Sequence, residues 1–348
     1  MIRVRSSAKK LPELCKLNSD ECWVWVPFEV DKNYDGYRID RFLAQRLTAY
    51  SRQKVQKILS ESRVVKGGQP VKASARVRSG DKIQIAYPRR PEAPLAADAS
   101  IPVLFEDENL LIVDKPAGVL SHPTDKIVNN TVLAILRHAR PDLPKLHLLH
   151  RLDRETSGVL ALAKNASTAR AWTTSMEKHE VKKEYIAIVR GVLIPPEGVI
   201  DLPIGRQPGE IKVRQWIHVP GAVVAVTRYE VLTSGRSQGT VPQLSFSVVR
   251  AFPETGRLHQ IRVHFAALGH PLLGDPLYTG QGEIYLKMIA GQATAINRAS
   301  LGFLRVALHA AALTFPHPLH PKKFRVGAPL PEDMDRFISA KLSPCRSE

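Results

Sequence analysis

The chain of 348 residues contains little cysteine and no long apolar run. Its three cysteines, Cys15, Cys22 and Cys345, are too few and too badly spaced for a disulfide framework or a zinc site. No stretch of about 18 uncharged apolar residues is present, and the basic start "MIRVRSSAKKLPELCKLNSD" lacks the apolar segment of a signal peptide. These absences argue against a membrane protein and a secreted disulfide scaffold. We therefore expect a cytoplasmic protein, and without a heptad pattern we expect a monomer.

Acidic residues are also scarce, with 33 Asp and Glu against 50 Lys and Arg, a formal net charge of +17. The imbalance is concentrated in residues 37–90, which contain 14 Lys and Arg but 3 acids. Such clustering is typical of a surface that binds a polyanion, because each neutralised phosphate releases condensed counterions. A well-solvated surface is the simpler alternative.

The basic segment has the pattern of a small folded domain. Short strand-like runs separated by glycine-containing turns follow two apolar stripes. We predict a small α/β module over residues 37–88, an N-terminal extension over 1–36 and a proline- and alanine-rich linker over 89–100. Within the extension, "ECWVWVPFEV" is a candidate strand that packs on the module. The two stripes have helical spacing and consist of Ile39, Phe42, Leu43 and Leu47, and of Val55, Ile58 and Leu59.

Residues 101–330 have the pattern of an α+β domain built on a mainly antiparallel mixed sheet. Segments such as "VVAVTRYEVL" alternate with a period of two, as half-buried strands do. The helical candidates "TVLAILRHA", "ASTARAWTTSM" and "LHQIRVHFAALG" are fewer than the strands, and no regular alternation of strand and helix occurs. Residues 331–348 are predicted to be a C-terminal tail.

The stretch "HRLDRETSG" at residues 150–158 precedes an apolar run that resembles a buried strand, which places Asp153 at the rim of a sheet. A surface ion pair with Arg151 or Arg154 explains the charges, and local sequence favours it. A reactive carboxylate on a packed scaffold explains both the charges and the apolar run. Further along, three histidines are separated by five and six positions, which fits no helical pair of metal ligands, so we predict no metal site. They are His259, His264 and His270.

Five stretches, taken in chain order, resemble the motif series of the RluA family of RNA pseudouridine synthases. They are "EDENLLIVDKPAGVLSHP", "LLHRLDRETSGVLALAKN", "VKKEYIAIVRG", "ETGRLHQIRVHFAALGHPLLGDPLY" and "RVALHA". The basic segment, with "RID", "YSRQKVQKIL", "SRVVKGGQPV" and "VRSGD", resembles the RNA-binding domain named after ribosomal small-subunit protein four, with Ser79 in place of the usual proline. The resemblance implies a catalytic cleft across a central antiparallel sheet, with no cofactor and no metal.

The resemblance also implies roles for four residues. Asp153 matches the essential carboxylate, and Tyr185 matches the tyrosine that lies against the target uracil. Arg262 matches the arginine that pairs with the aspartate, and Arg151 matches the residue that holds the flipped nucleotide or fills the space it leaves. The segment 280–303 has its own length and sequence, so it has no role by resemblance.

The expected function is the isomerisation of uridine to pseudouridine in structured RNA. Ribosomal RNA is favoured by analogy, because the basic module precedes the catalytic domain as in family members of that kind; transfer RNA is the other candidate. A non-catalytic RNA-binding or ribosome-assembly protein, and a glycosidase that removes a base with two carboxylates, are the alternatives. Whether Asp153 attacks C1′ or removes a proton from C2′ remains open. The candidate RNA contacts are Arg38, Arg41, Arg52, Lys54, Lys57, Arg63 and Lys66.

Overall fold

The protein was analysed as a computed structural model, and the chain divides into two compact units, residues 1–93 and 94–348. No helix within the described residues is long and apolar enough to cross a bilayer. The structure describes residues 22–47, 52–61, 63–89, 100–124, 127, 129–236, 244–317 and 320–342.

The first unit is a four-stranded antiparallel sheet with two helices. Its elements are β1 (Cys22–Glu29), α1 (Ile39–Arg46), α2 (Arg52–Ser60), β2 (Val64–Lys66), β3 (Gln69–Pro70) and β4 (Lys82–Arg89), and the strand order is β1-β4-β2-β3. The predicted helical stripes are confirmed, since one core contains Phe42 and Leu43 of α1, Val55 and Leu59 of α2 and Ile85 of β4.

The predicted N-terminal extension contains a strand of this unit. Residues 22–29, within the candidate strand "ECWVWVPFEV", form β1, which pairs with β4 from Cys22 opposite Arg89 to Glu29 opposite Lys82. A strand is stabilised by its partner, here the free edge of β4, and this long-range pairing is not encoded in local spacing. The predicted linker stays a prediction, because residues 90–99 lie outside the described part of the chain.

The second unit contains a ten-stranded sheet. Along the chain, the elements in the first half of this unit are β5 (Val103–Glu106), β6 (Leu110–Lys115), α3 (Val132–Ala139), β7 (His147–Leu148), β8 (Ser157–Ala163), α4 (Ala166–Glu177), β9 (Lys182–Arg190), β10 (Glu197–Asp201), β11 (Ile204–Arg206) and β12 (Gln215–Ile217). Of these strands, β11 and β12 pair with each other in a separate two-stranded sheet. There follow β13 (Val226–Arg236), β14 (Ser245–Pro253), α5 (Gln260–Ala267), α6 (Glu283–Ile289), α7 (Ala295–Ala299), β15 (Leu308–His317), β16 (His320–Gly327) and α8 (Glu332–Leu342).

The main path of this sheet runs β10-β13-β14-β9-β15-β8-β6-β5, with β16 on β15 and β7 on β8. The predicted mainly antiparallel mixed sheet is confirmed, since β8 and β15 form its one described parallel pair. The three predicted helices are α3, α4 and α5. Where β8 meets β15, a Cβ on Gly158 would lie 2.2 Å from the carbonyl oxygen of Ala310. Glycine, with φ +107°, permits this close approach.

The predicted C-terminal tail is largely a packed helix. In α8, Met334 is fully buried in a cluster with Phe246 and Val248, and Phe337 and Ile338 pack against it. These three residues of α8 lie at i, i+3 and i+4, so they form one apolar stripe that covers the sheet. The large unit therefore extends beyond residue 330.

Candidate active site

Asp153 lies on the loop between β7 and β8, and the backbone on both sides of it is held in place. The Ser121 hydroxyl donates to the carbonyl of Leu152 at 3.0 Å and accepts from its N–H at 3.1 Å. On the other side, the Lys115 ammonium donates to the carbonyl of Arg154 at 3.1 Å. The carboxylate is therefore carried by a rigid loop at the start of β8.

Lys115 is a residue that the sequence analysis did not single out. It is fully buried, and its ammonium also donates to the carbonyls of Pro116 at 2.8 Å and Val119 at 2.7 Å. Burial lowers the pKa of Lys115 to about 7. Three backbone carbonyls thus satisfy this side chain, which ties the "KPAG" turn to the loop that carries Asp153.

Arg262, on α5, lies between two carboxylates. Its Nε and Nη2 donate to the two oxygens of Asp275 at 2.7 and 3.0 Å, and its Nη1 donates to Oδ2 of Asp153 at 3.0 Å. Asp275 is fully buried and accepts a further hydrogen bond from the backbone N–H of Leu277 at 3.0 Å. The bidentate pair fixes the plane of the guanidinium, so Arg262 presents its remaining N–H groups to Asp153 in a set direction.

The pKa of Asp153 lies below its ordinary value. Burial opposes the charge of the carboxylate, but electrostatic interactions with neighbouring groups, His259 and Arg262 foremost, outweigh it. Burial lowers the pKa of His259 itself to about 4. At neutral pH that imidazole is uncharged, so the charge that keeps Asp153 ionised is that of Arg262.

A cavity of about 280 Å³ is lined by Asp153, Arg262, Tyr185 and Arg151, so the fold brings all four predicted site residues together. The Asp153 side chain is 24% exposed, Tyr185 on β9 is buried, and Arg151 is exposed. Burial raises the pKa of Tyr185, so its phenol stays protonated at neutral pH. A larger groove, about 1740 Å³, also contains Asp153 and Arg151, and α6 and α7 of the unassigned segment form part of its wall.

Comparison with protein families identifies both units. The model of the RNA pseudouridylate synthase family matches residues 109–267, and that of the S4 domain matches residues 38–83. A curated protein of Xanthomonas campestris, "ribosomal large subunit pseudouridine synthase D", is 32% identical over 309 residues, which are 88% of this chain and 89% of that protein. The chain belongs to the RluA family of RNA pseudouridine synthases.

Other relatives of this pseudouridine synthase agree. An "uncharacterized RNA pseudouridine synthase" of Chlorobaculum parvum is 37% identical over 325 residues, covering 90% of this chain and 96% of that protein. Among solved structures, human RNA pseudouridylate synthase domain containing 1 matches with a TM-score of 0.53 and 25% identity, over 72% of this chain and 97% of the human one. The resemblance stated from the motifs is thereby confirmed for family and fold.

In the S4 domain of the synthase, two candidate RNA contacts share one carboxylate. Arg38 Nε and Arg52 Nη2 lie 3.2 and 3.0 Å from oxygens of the fully buried Asp40, and the side-chain amide of Gln56 also donates to it, at 2.9 Å. Burial by itself would raise the pKa of Asp40, but the hydrogen bonds from these donors hold that pKa well below its usual range. Both arginine side chains remain about half exposed, so each has a structural partner and an accessible surface.

The other candidates of the S4 domain differ in their surroundings. Lys57 is exposed, whereas the side chain of Lys54 lies outside the described residues. The remaining three have partners within the unit: Arg63 pairs with Glu61 at 3.0 Å, Lys66 with Asp81 at 2.5 Å, and Arg41 lies 5.2 Å from the ring centroid of Tyr37.

The three histidines of the "LHQIRVHFAALGH" stretch have separate partners. Nδ1 of His259 lies 2.9 Å from Tyr278 Oη, and Nδ1 of His264 lies 2.9 Å from Thr227 Oγ1. Nδ1 of His270 lies 2.8 Å from the carbonyl oxygen of Arg190. Within the part of the chain that the structure describes, no group of three or more His, Cys, Asp or Glu side chains could hold a metal ion.

Besides Lys115, three further residues of the site were missed by the sequence analysis. Asp275 stands in the apolar stretch "LLGDPLY", and an acid with such neighbours indicates a buried, paired carboxylate. His259 was considered as a metal ligand but not as a neighbour of Asp153. Lys183 precedes Tyr185 by two positions, and the strand period of two predicts that both lie on one face of β9.

Proposed function

We propose that this enzyme isomerises specific uridines of ribosomal RNA to pseudouridine, with Asp153 as its one catalytic carboxylate and without a cofactor. The observation that supports this most directly is the pair of Asp153 and Arg262 beside the cavity that contains Tyr185. Arg262 binds Oδ2, and no described residue donates a hydrogen bond to Oδ1. Asp153 is therefore a charged carboxylate with one oxygen left for a substrate.

The reaction needs such a group. The bond from C1′ to N1 breaks and its electron pair stays on the base; after the base turns, C5 bonds to C1′, C5 loses its proton and N1 gains one. Asp153 acts at the sugar, as a nucleophile at C1′ or as a base at C2′, and both roles require the charged form. Tyr185 lies against the uracil while it is detached. No atom is gained or lost overall, so the chemistry demands neither a hydride carrier nor a hydrolytic water.

The two-carboxylate glycosidase alternative is disfavoured by the second carboxylate of the site. Asp275 is fully buried and both of its oxygens are bonded to Arg262. It is therefore not available as the general acid or base that would complete a glycosidase pair.

Ribosomal RNA is proposed as the target because the relative in Xanthomonas campestris is named a large-subunit pseudouridine synthase and because an S4 domain precedes the catalytic unit. A uridine in structured RNA must leave its stack, at a cost of a few kcal/mol. We propose that the basic S4 residues offset part of this cost by holding nearby phosphates, and that Arg151 at the cavity holds the flipped nucleotide or fills the space it leaves. The monomeric state and the cytoplasmic location stay predictions.

The experiment is to map pseudouridines in total RNA from cells with and without the gene, and then to reintroduce the wild-type protein or Asp153→Asn. We expect at least one ribosomal uridine to lose its modification and Asp153→Asn not to restore it. With purified protein, Asp153→Asn should slow single-turnover isomerisation by at least about 10³-fold and leave RNA affinity nearly unchanged.

Asp142→Asn is the matched control, since Asp142 is an exposed carboxylate that also pairs with an arginine. It should behave as wild type. If the cells without the gene lose pseudouridine from transfer RNA but not from ribosomal RNA, the proposed target is wrong. Substantial turnover by Asp153→Asn would overturn the role of Asp153.

A further inference from the structure

The wall of the catalytic cavity includes a lysine that the assigned roles do not use. Lys183 lines the cavity together with Asp153 and Tyr185. It lies on β9 two positions before Tyr185, so both side chains project from the same face of the strand. Its Nζ lies close to Gly256, where a Cβ would approach it to 3.3 Å. The ammonium therefore lies beside a part of the cavity wall that has no side chain.

Within the described residues, Lys183 has no hydrogen bond and no ion pair. The adjacent acid, Glu184, is already paired with Arg250 and Arg325, both at 3.1 Å. Burial and, to a smaller extent, the charge of Lys183 lower the pKa of the neighbouring His150 to about 3, so its imidazole is uncharged at neutral pH and does not compensate the ammonium. Burial also lowers the pKa of Lys183 itself.

An ammonium in such surroundings destabilises the folded state, because desolvation of a charge is costly unless a partner compensates for it. Lys115 shows the compensated case, since its buried ammonium donates to three backbone carbonyls. Lys183 has no equivalent set. The missing partner is therefore expected to arrive with the substrate.

We propose that Lys183 is a catalytic residue that stabilises the negative charge of the uracil while it is detached from the ribose. This inference rests on the proposed function. When the C1′–N1 bond breaks, its electron pair stays on uracil and spreads over N1 and the two carbonyl oxygens. The charge disappears when this electron pair forms the bond from C5 to C1′, and the base then stays neutral because N1 gains a proton as C5 loses one. A fixed cation in a partly desolvated cavity favours this transient charge over the neutral uridine.

Position favours the base over an RNA phosphate as the partner. Lys183 and Tyr185 share one face of β9, and Tyr185 is the residue proposed to lie against uracil. A phosphate is charged before, during and after the reaction, so a lysine that binds it strengthens RNA binding without changing the chemical step. The two partners therefore predict different kinetics.

The test compares Lys183→Met, which removes the charge at similar length, with Lys183→Arg, which keeps it. Lys182→Met is the matched control, because Lys182 is the exposed neighbour on the opposite face of the same strand. The substrate is unmodified large-subunit ribosomal RNA transcribed in vitro. Single-turnover rates at saturating enzyme and RNA dissociation constants at two salt concentrations are measured for each variant.

We expect Lys183→Met to reduce the single-turnover rate by about 10²–10³-fold, as loss of one preorganised donor does, with a dissociation constant within about twofold of wild type. Lys183→Arg should recover most of the rate, and Lys182→Met should match wild type. The melting temperature of Lys183→Met should be unchanged or higher, because the variant removes a charge that lacks a partner. If Lys183 had a purely structural role, the Lys183→Met variant would instead have a lower melting temperature than wild type.

A single-turnover rate for Lys183→Met within threefold of wild type would overturn the inference. So would a loss confined to RNA affinity with a smaller salt dependence, which identifies a phosphate contact. Both outcomes require an active wild-type enzyme, so they leave the proposed function intact. Absence of pseudouridine formation by the wild type is the distinct failure of the proposed function.

Discussion

Asp40 in the small unit and Asp153 in the large unit are both carboxylates next to arginines, yet their environments differ. Asp40 is fully buried and accepts from Arg38, Arg52 and Gln56. Asp153 is 24% exposed, has a hydrogen bond to Arg262 alone among the described residues, and faces a cavity. A short acidic motif flanked by arginine, "RID" or "RLD", is common to both. The difference lies in how many donors the fold supplies.

This contrast separates the structural acids of the chain from the acid that we propose to be reactive. A fully buried carboxylate whose two oxygens are both bonded to protein donors presents no accessible oxygen to a substrate, as Asp40 and Asp275 illustrate. Asp153 is charged through Arg262 but incompletely bonded, which is the condition for attack or proton removal. The variants below test this division, in order of decreasing effect.

Arg262→Gln should have the largest effect because it breaks both pairs at once. It leaves the buried Asp275 without its bidentate partner, which should lower the free energy of unfolding of the large unit by about 3–5 kcal/mol. It should also impair catalysis, since Asp153 loses its orienting charge. Chemical denaturation and single-turnover rates measure the two effects. Arg228→Gln, which removes an exposed pair with Glu254, is the control and should change stability by no more than about 0.5 kcal/mol; equal stability losses for the two variants would contradict the structural role of Asp275.

Asp40→Asn should show the reverse of Asp153→Asn, with loss of stability but not of chemistry. We expect the small unit to lose about 2 kcal/mol, less than for a wholly buried pair because its arginines are half exposed. Hydrogen exchange of peptides from residues 22–89 reports this loss. The single-turnover rate at saturating enzyme should stay close to that of wild type. A rate reduced as much as by Asp153→Asn would remove the distinction between the two carboxylates.

Low pH should destabilise the small unit, because Asp40 becomes protonated. The folded-state pKa of Asp40 lies below its ordinary value of 3.8, so its ion pairs stabilise the fold fully above that value and are lost progressively as the pH falls below about 4. The stability difference between wild type and Asp40→Asn should therefore shrink between pH 5 and pH 2, roughly. Hydrogen exchange at matched temperatures measures it. A difference that is constant with pH would show that Asp40 titrates normally.

Arg41→Ala should have the smallest effect. The exposed Arg41 lies over Tyr37 and has no ion pair among the described residues. Loss of one phosphate contact should weaken RNA binding roughly a few-fold and reduce the salt slope by about 1. Arg170→Ala, an exposed arginine of the large unit, is the control. Equal effects of the two variants on the salt slope would argue against a specific role of the S4 domain residue.

Local sequence was sufficient for the elements that depend on periodicity. The apolar stripes that predict α1 and α2, and the run that becomes β8, are read from neighbouring residues, because helices and strands repeat every 3.6 and 2 positions. Local sequence failed for α8, whose stability comes from a sheet face supplied by other parts of the chain. It also did not identify β4 as the partner of β1. The motif resemblance, rather than periodicity, pointed to Asp153, Tyr185, Arg262 and Arg151.

Sequence by itself thus determined the family and the mixed sheet, and its motifs pointed to Asp153 as the proposed reactive carboxylate. Tertiary structure alone decided how each charged residue is partnered. Arg262 and Asp153 are 109 positions apart, and the bidentate hold of Asp275 on Arg262 has no local signature. The same is true of Lys183, because the lack of a partner depends on every element that surrounds a side chain. Spacing along the chain encodes which face a residue occupies, whereas burial and the supply of donors arise only when distant segments pack together.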